Sequence, residues 1–183
     1  MAHRSRLIEI VKERSFSTGP ETRLVSGRST NFYFDMKPTM LDPEGGHLIA
    51  TLILDALKGA DVDLVGGLEM GAVPLAVAVA VTSQIKGWPL RAFFVRKHAK
   101  EHGARKLVEG LARGESLSGR RIVVLEDVTT TGGSAMKAIE ALKAEGAVID
   151  RVISVVDRLE GAADTFKAAG IPFTALLTAA DFL

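Results

Sequence analysis

The sequence contains no cysteine and no long apolar run, and each absence excludes a class of protein. Without cysteine, the chain of 183 residues can form no disulfide, no thiolate metal site and no cysteine nucleophile. Its longest apolar stretch, Ala72–Ile85, is broken by a proline and three polar residues and is shorter than the roughly 20 residues of a membrane span. The charged N-terminal residues also lack the apolar run of a signal peptide. We therefore expect a cytoplasmic protein with no membrane partner.

Neither sign of charge is in excess. The chain has 23 Lys and Arg against 22 Asp and Glu, so its net charge is +1. This balance does not favour binding to nucleic acid through bulk electrostatics, and we expect no nucleic-acid partner. The hydrophobic fraction of 47% is that of an ordinary globular protein, and the length predicts a single domain over residues 1–183.

Short β-branched runs alternate along the chain with segments of helical spacing. Asp42 and Pro43 together form a typical helix start, since the carboxylate caps free N–H groups and proline suits the first turn. Alternation of strands and helices predicts a parallel sheet covered on both faces, with ligands at the carboxyl ends of its strands. The expected fold is therefore α/β, with a central, mainly parallel sheet flanked by helices. The predicted strands are 62–66, 90–95, 121–126, 152–156 and 173–177, and the predicted helices are 42–58, 72–85, 133–145 and 162–169.

The segment after predicted strand 121–126 combines acidic, hydroxyl and glycine residues. Carboxylates accept hydrogen bonds from sugar hydroxyls, and glycines before a helix let a phosphate approach free N–H groups. The segment therefore predicts a ribose-phosphate cradle, and the alternative is a polar loop with a capping threonine. The phosphate motifs GxxxxGK[ST] and GxGxxG are absent from the chain. The predicted cradle consists of Glu126, Asp127, Val128, Thr129, Thr130, Thr131, Gly132, Gly133 and Ser134.

Residues 96–106 read RKHAKEHGARK and carry five Lys or Arg against one Glu. The segment has neither the apolar stripe of a packed helix nor the pattern of a strand, so we predict a mobile basic loop. The alternative is a solvated charged connection. A metal pair at His98 and His102 is disfavoured because no third ligand has suitable spacing.

Two of these segments resemble motifs of one enzyme family. VVLEDVTTTGGS resembles the signature by which type I phosphoribosyltransferases bind phosphoribosyl pyrophosphate (PRPP). RKxxKxHG resembles the flexible catalytic loop of the orotate phosphoribosyltransferases, which closes over the pyrophosphate of PRPP, largely in the neighbouring subunit's site. The residues that match this loop motif are Arg96, Lys97, Lys100, His102 and Gly103.

This resemblance implies transfer of ribose 5-phosphate from PRPP to orotate, giving orotidine 5′-monophosphate and pyrophosphate in pyrimidine biosynthesis. It implies Mg²⁺ as the cofactor, held mainly through PRPP with no direct protein ligand, and a homodimer that shares loop 96–106 between subunits. The catalytic residues would be Lys100, His102, Glu126 and Asp127. Transfer to another nucleobase, or a nucleotide-binding regulator of the same fold, remains an alternative.

The resemblance also assigns an orotate site. Arg158 follows a predicted strand, where a guanidinium can hold a planar carboxylate, and in the family this arginine binds orotate together with the residue matched by Thr130. A salt bridge between Arg158 and a neighbouring carboxylate is the alternative. Residues 26–37 resemble the family's early segment, so Tyr33 and Phe34 would flank the base and residues 1–40 would form a hood over it.

The sequence departs from the family pattern at two lysines. Many members have a lysine at the position of Val25, and Lys37 is the proposed replacement in the orotate site. The family often has a second lysine near the pyrophosphate, where this chain has Met70 beside Glu69.

Overall fold

The computed structural model describes residues 2–23, 29–98 and 107–183. Val25, Lys100, His102 and Gly103, which the sequence analysis singled out, lie outside these ranges, as does the turn at residues 26–28. No helix of the described ranges is long and apolar enough to cross a bilayer.

A six-stranded sheet forms the centre of the molecule. Its strands lie in the order β5-β4-β3-β6-β7-β8, and all neighbours are parallel except the antiparallel pair β4 and β5. This arrangement confirms the predicted α/β fold with a mainly parallel sheet. The strands are β3 (Leu64–Leu68), β4 (Arg91–Val95), β5 (Val108–Glu109), β6 (Arg121–Thr129), β7 (Val148–Asp157) and β8 (Phe173–Thr178).

Helices cover both faces of this sheet, as the apolar runs predict. In β6, Val123 and Leu125 belong to one core cluster with α3 and α4, while Ile122 and Val124 belong to a second with α5 and α6. The helices are α1 (Ala2–Arg14), α2 (Lys37–Met40), α3 (Pro43–Ala56), α4 (Ala72–Ile85), α5 (Gly133–Ala144) and α6 (Ala162–Ala168).

The start of α3 follows the predicted capping chemistry. Oδ1 of Asp42 accepts hydrogen bonds from the N–H groups of Glu44 (3.0 Å) and Gly45 (2.9 Å), and Pro43 occupies the first turn. This cap sets the residue at which α3 begins.

The N-terminal region adds a helix and an antiparallel hairpin. Strands β1 (Phe16–Arg23) and β2 (Ser29–Phe34) form the hairpin, and α1 buries Leu7, Ile10 and Val11 in the same core cluster as α3. A small hood over the base site, formed by residues 1–40, remains a prediction.

Several predicted strand ends were wrong, since β3 begins at Leu64 rather than at residue 62 and β7 runs over Val148–Asp157 rather than 152–156. Strand β3 also continues through Gly66 and Gly67 to Leu68, and a Cβ at either glycine would meet the backbone of a neighbouring strand. Strand β6 continues past Glu126 to Thr129, which pairs with Asp157 of β7. Glu126 therefore lies within a strand rather than at its end.

Candidate functional site

The topology of the sheet opens a crevice between β3 and β6. From β3 the chain passes to β4 on one side, and β6 then joins β3 on the other side, so the strand order reverses at this point. Ligands of open α/β sheets bind at such a reversal, outside the carboxyl ends of the strands. A cavity of about 980 Å³ lies there. Its polar lining includes Lys37, Glu69, Lys97, Glu126, Asp127 and Ser134.

Glu126 is a buried carboxyl group facing this cavity. The residue is 5% exposed, and its Oε2 has no hydrogen-bond partner among the described residues. Burial, with a smaller contribution from the neighbouring Asp127 charge, raises the pKa of Glu126 to about 8. The Glu126 side chain can therefore form a hydrogen bond with a polar ligand in this cavity.

Asp127 lies against the loop that follows β3. Burial raises the pKa of Asp127, although Oδ1 accepts a hydrogen bond from the N–H of Val128 at 2.9 Å. A Cβ at Gly71 would lie 2.5 Å from Oδ1 of Asp127, so only glycine permits this approach. The two neighbouring carboxyl groups of β6 thus both face the cavity, Asp127 at the point where the β3 loop closes on it.

Lys37 contributes a positive charge to the same cavity. Its Nζ donates to Oδ1 of Asp35 at 2.8 Å. This hydrogen bond is the largest of the contributions that raise the pKa of Lys37, and the negative charges of Asp35 and Asp127 add to it. Lys37 is thus placed where it can face an anionic ligand beside Asp127.

The described base of the basic segment is joined to the β3 loop. Oε1 of Glu69 accepts from the backbone N–H of Lys97 at 2.8 Å, and the N–H of Arg96 donates to the carbonyl of Leu107 at 2.9 Å. The Arg96 guanidinium turns toward Glu109 (3.8 Å) and lies outside the cavity lining, whereas Lys97 lines the cavity. The contact of Glu69 was not predicted because it joins the loops that follow two separate strands.

The hydroxyl segment divides into inward and outward groups. Thr129 is 2% exposed and its hydroxyl faces Ser154 and Asp157, so that hydroxyl is directed into the protein and not toward a ligand. Thr131, Gly133 and Ser134 are exposed at the start of α5, where N–H groups are free, and Thr130 is half-buried. Gly132 has a φ of 84°, which explains the glycine immediately before the helix.

Arg158 lies beside the carboxyl end of β7 and contacts an aromatic ring. Its guanidinium carbon is 4.8 Å from the centre of the Phe32 ring, and Nη2 lies 2.8 Å from Oε1 of Glu160. The salt bridge considered from the sequence is therefore present with Glu160. Arg158 is only 7% exposed, so this pair and the Phe32 ring hold a largely buried guanidinium.

The aromatic residue beside Arg158 is Phe32 rather than Phe34. Phe34 is 5% exposed and packs 5.1 Å from both Phe16 and Phe182, which corrects its assignment as a flank of the base. Tyr33, on the opposite face of β2, is 60% exposed. Phe32 and Phe34 share one face of β2 because side chains alternate along a strand, but the sequence does not show which of the two contacts Arg158.

Comparisons with known proteins give a consistent result. A family model described as "Phosphoribosyl transferase domain" matches residues 39–169. The orotate phosphoribosyltransferase of Bradyrhizobium diazoefficiens is 59% identical over 182 residues, covering 100% of this chain and 97% of that protein. The orotate phosphoribosyltransferase of Sorangium cellulosum is 45% identical over 183 residues, covering 100% of this chain and 94% of that protein.

Solved structures of high similarity include two of the orotate phosphoribosyltransferase of Mycobacterium tuberculosis. The complex with Fe(III) dicitrate has a TM-score of 0.83 and 36% sequence identity, and covers 98% of each chain. The complex with PRPP has a TM-score of 0.79 and 34% identity, again over 98% of each chain.

Proposed function

The chain belongs to the orotate phosphoribosyltransferases of the phosphoribosyl transferase family, and we propose that it binds PRPP in the cavity between β3 and β6. The enzyme transfers ribose 5-phosphate from PRPP to orotate, giving orotidine 5′-monophosphate and pyrophosphate, a pentosyl transfer of pyrimidine biosynthesis. The observation that carries the proposed site is the pair of β6 carboxyl groups at the reversal of strand order, facing the side chains of Lys37 and Lys97.

Glu126 and Asp127 would accept hydrogen bonds from the two ribose hydroxyls. The buried Oε2 of Glu126, without a partner among the described residues, supports this role, because a buried carboxyl oxygen gains most from a hydroxyl donor. As the bond to pyrophosphate lengthens, the ribose acquires positive charge, and negative charge on these two carboxylates would stabilise it. The 5′-phosphate would bind the exposed hydroxyls and N–H groups of residues 130–134.

The basic segment would neutralise the leaving pyrophosphate. Lys97 lines the cavity, and we propose that Arg96, Lys100 and His102 join it when substrate binds. Closure over the substrate would also exclude water, which otherwise hydrolyses PRPP. The ring nitrogen of orotate attacks the anomeric carbon, so no covalent protein nucleophile is needed.

Orotate would bind between the cavity and Arg158. The guanidinium would hold the orotate carboxylate, Thr130 would contact the same ligand, and Tyr33 and Lys37 would line the approach. The Phe32 ring supports this assignment because it lies 4.8 Å from the guanidinium carbon and so restricts where the guanidinium can lie. Replacing Arg158 with Ala should raise the KM for orotate about tenfold or more, on the scale of a lost charged hydrogen bond, while leaving the KM for PRPP near its original value.

The cavity also suits Mg²⁺ that arrives with PRPP. The described residues contain no group of three or more acidic, histidine or cysteine side chains that could hold a metal ion. Two carboxyl groups do lie where the ribose hydroxyls would bind. We propose that the ion is held by the pyrophosphate and ribose oxygens, as is usual for phosphate-bound Mg²⁺. It would supply charge neutralisation to the leaving group.

We propose that the enzyme acts as a homodimer that shares loop 96–106. Exposed apolar side chains run from the cavity along α4, namely Val77 (56%), Val81 (57%) and Ile85 (80%), with Leu41 (72%) beside them. A second copy seated on this face would cover them and bring its own basic segment to the cavity. Sedimentation of Val81→Glu should show dissociation, whereas Val148→Glu, at an exposed apolar position on β7, should not.

Mixing two inactive variants tests whether the loop is shared. Lys100→Ala removes the loop charge, and Asp127→Asn disables the site itself. If the loop acts across the dimer, one site of each mixed dimer is intact, and random exchange restores about a quarter of the sites. If the loop acts within its own subunit, the mixture stays inactive.

Loss of orotate absorbance in the presence of PRPP, with and without Mg²⁺, tests the reaction as a whole. We expect turnover only with both PRPP and the ion, and release of pyrophosphate with orotate but not with purine bases. Preferential turnover of another base would contradict the assignment. A cytoplasmic location and the absence of a nucleic-acid partner remain predictions.

A further inference from the structure

A buried carboxylate links the end of β6 to the end of β7. Asp157 is 3% exposed, and its Oδ1 accepts two hydrogen bonds, one from the hydroxyl of Thr129 (3.2 Å) and one from the backbone N–H of Leu159 (3.0 Å). Thr129 and Asp157 are also direct partners in the parallel register of the two strands. The reaction described above gives Asp157 no role, although charged side chains are rarely this buried without one.

The hydroxyl of Thr129 is directed toward Asp157 by its surroundings. Ser154, which is fully buried, uses its own hydroxyl proton on the carbonyl of Val156 at 2.9 Å. It therefore faces Thr129 as an acceptor at 3.2 Å, so the Thr129 hydroxyl proton is shared among Ser154, the more distant carbonyl of Val156 (3.5 Å) and the carboxylate of Asp157. Since charged acceptors form the stronger hydrogen bonds, the Asp157 carboxylate determines how the Thr129 side chain is held.

The second hydrogen bond stabilises an unfavourable turn. Leu159 has a φ of 62°, which is uncommon for a residue with a side chain, and its side chain is 56% exposed. Packing therefore does not offset this conformation. The bond from the Leu159 N–H to Asp157 does, and the chain bends back immediately after Arg158.

Each of the two loops that Asp157 joins contains a residue proposed to bind orotate. The N–H of Arg158 donates to the carbonyl of Thr129 at 2.9 Å, and the N–H of Ala162 donates to the carbonyl of Thr130 at 3.1 Å. The loop after β7 is thus docked on the loop after β6 by main-chain bonds, with Asp157 at their centre. Loss of this carboxylate would remove the bonds to the Thr129 hydroxyl and to the Leu159 N–H, one on either side of the contact between the two loops.

We propose that Asp157 is a positioning residue that fixes the guanidinium of Arg158 against Thr130, and so sets the affinity of the enzyme for orotate. The inference rests on the proposed roles of Arg158 and Thr130 in binding orotate. Asp157 itself contacts neither substrate in this account and acts only through the turn at Leu159 and the hydroxyl of Thr129.

Steady-state kinetics of Asp157 variants test this role. Asp157→Ala removes the acceptor and should raise the KM for orotate about tenfold, with a smaller change in the KM for PRPP. Asp157→Asn keeps an acceptor oxygen in place and should restore most of the affinity. The preference for orotate over uracil, which lacks the carboxylate, should fall in Asp157→Ala as it does in Arg158→Ala. Asp164→Ala, an exposed carboxylate of α6, is the matched control and should change neither KM.

The outcomes separate this proposal from the proposed orotate site. An unchanged orotate KM in Arg158→Ala would overturn both. The positioning role alone would be overturned if Arg158→Ala raises the KM for orotate while Asp157→Ala leaves both KM values unchanged. This conclusion would hold even if Asp157→Ala yields less active protein. If Asp157→Ala does not fold, Thr129→Val decides the matter, since it breaks one of the two bonds at nearly constant volume. It should raise the orotate KM several-fold, and an unaltered KM would overturn the proposal.

Discussion

The unusual burial of Glu126 leads to a prediction about stability and pH. Replacing Glu126 with Gln keeps the shape of the side chain and removes its ionisation. Between about pH 4.5 and about pH 8, the folded protein retains a proton at Glu126 that the unfolded chain has released. The folded state therefore binds more protons over this range, and its free energy of unfolding must fall as the pH rises.

The size of this effect follows from the pKa of Glu126. Each pKa unit corresponds to about 1.4 kcal/mol, so the raised pKa lowers the free energy of unfolding by about 3 kcal/mol at pH 7. At pH 8 and above the loss approaches 5 kcal/mol on the same scale. Glu126→Gln does not incur this loss, so the variant should gain stability over the original protein as the pH increases.

Urea unfolding at several values between pH 5 and pH 8.5, without PRPP, measures the difference. Protein concentration is held constant because association of subunits changes the apparent stability. Contributions of titrating groups that do not interact with Glu126 are shared by the two proteins and cancel in the difference, whereas Asp127, whose charge raises the pKa of Glu126, adds a smaller change of its own. Glu140→Gln, on the exposed side of α5, is the control and should differ from the original protein equally at every pH. A difference between Glu126→Gln and the original protein that does not change with pH would refute the reasoning.

Three further predictions concern the PRPP side of the cavity. The kcat/KM for PRPP should rise with pH up to about pH 8, because only the ionised Glu126 carries the negative charge that stabilises a positively charged ribose. Glu126→Gln should lose this rise, and a profile shared by both proteins would count against the prediction. Gly71→Ala should raise the KM for PRPP about tenfold, since its Cβ would displace Asp127. Gly19→Ala, whose Cβ meets no atom within 4 Å, should leave this KM unchanged, and equal effects of the two variants would contradict the steric argument. Met70→Lys should lower the KM for PRPP about threefold, which is the size of effect expected from a partly exposed charge pair. Met70→Glu should raise the KM for PRPP, and a shift in the same direction for both variants would exclude a charge effect.

The fold was predictable where local chemistry determines it. The cap at Asp42 and Pro43 gives the start of α3, and the apolar runs give the strands that are buried on both faces. The helix α1 was not predicted, although its buried residues Leu7, Ile10 and Val11 have the i, i+3, i+4 spacing of a helical stripe and pack in the same core cluster as α3. The two-residue strand β5 is likewise defined by its pairing with β4 alone.

Polar residues inside a sheet explain the misplaced end of β6. Thr129 reads as part of a loop, yet its hydroxyl is directed inward by Asp157 of the adjacent strand. No periodicity in either segment indicates this pairing, because the partners are 28 residues apart in the chain. The ladder between the strands, rather than local propensity, sets the boundary.

The site was predictable as a set of residue types but not as contacts. The signature of acidic, hydroxyl and glycine residues leads to Glu126, Asp127 and Ser134, which the structure brings into one cavity. The contact of Phe32 with Arg158 and the bond from Lys97 to Glu69 join separate elements, so only the folded arrangement reveals them.

The most direct test of the account is a crystal structure of the enzyme with PRPP and Mg²⁺. We expect the ribose hydroxyls within hydrogen-bond distance of the carboxylates of Glu126 and Asp127, and the 5′-phosphate at residues 130–134. PRPP bound elsewhere, with both carboxylates out of reach of the sugar, would contradict the central claim.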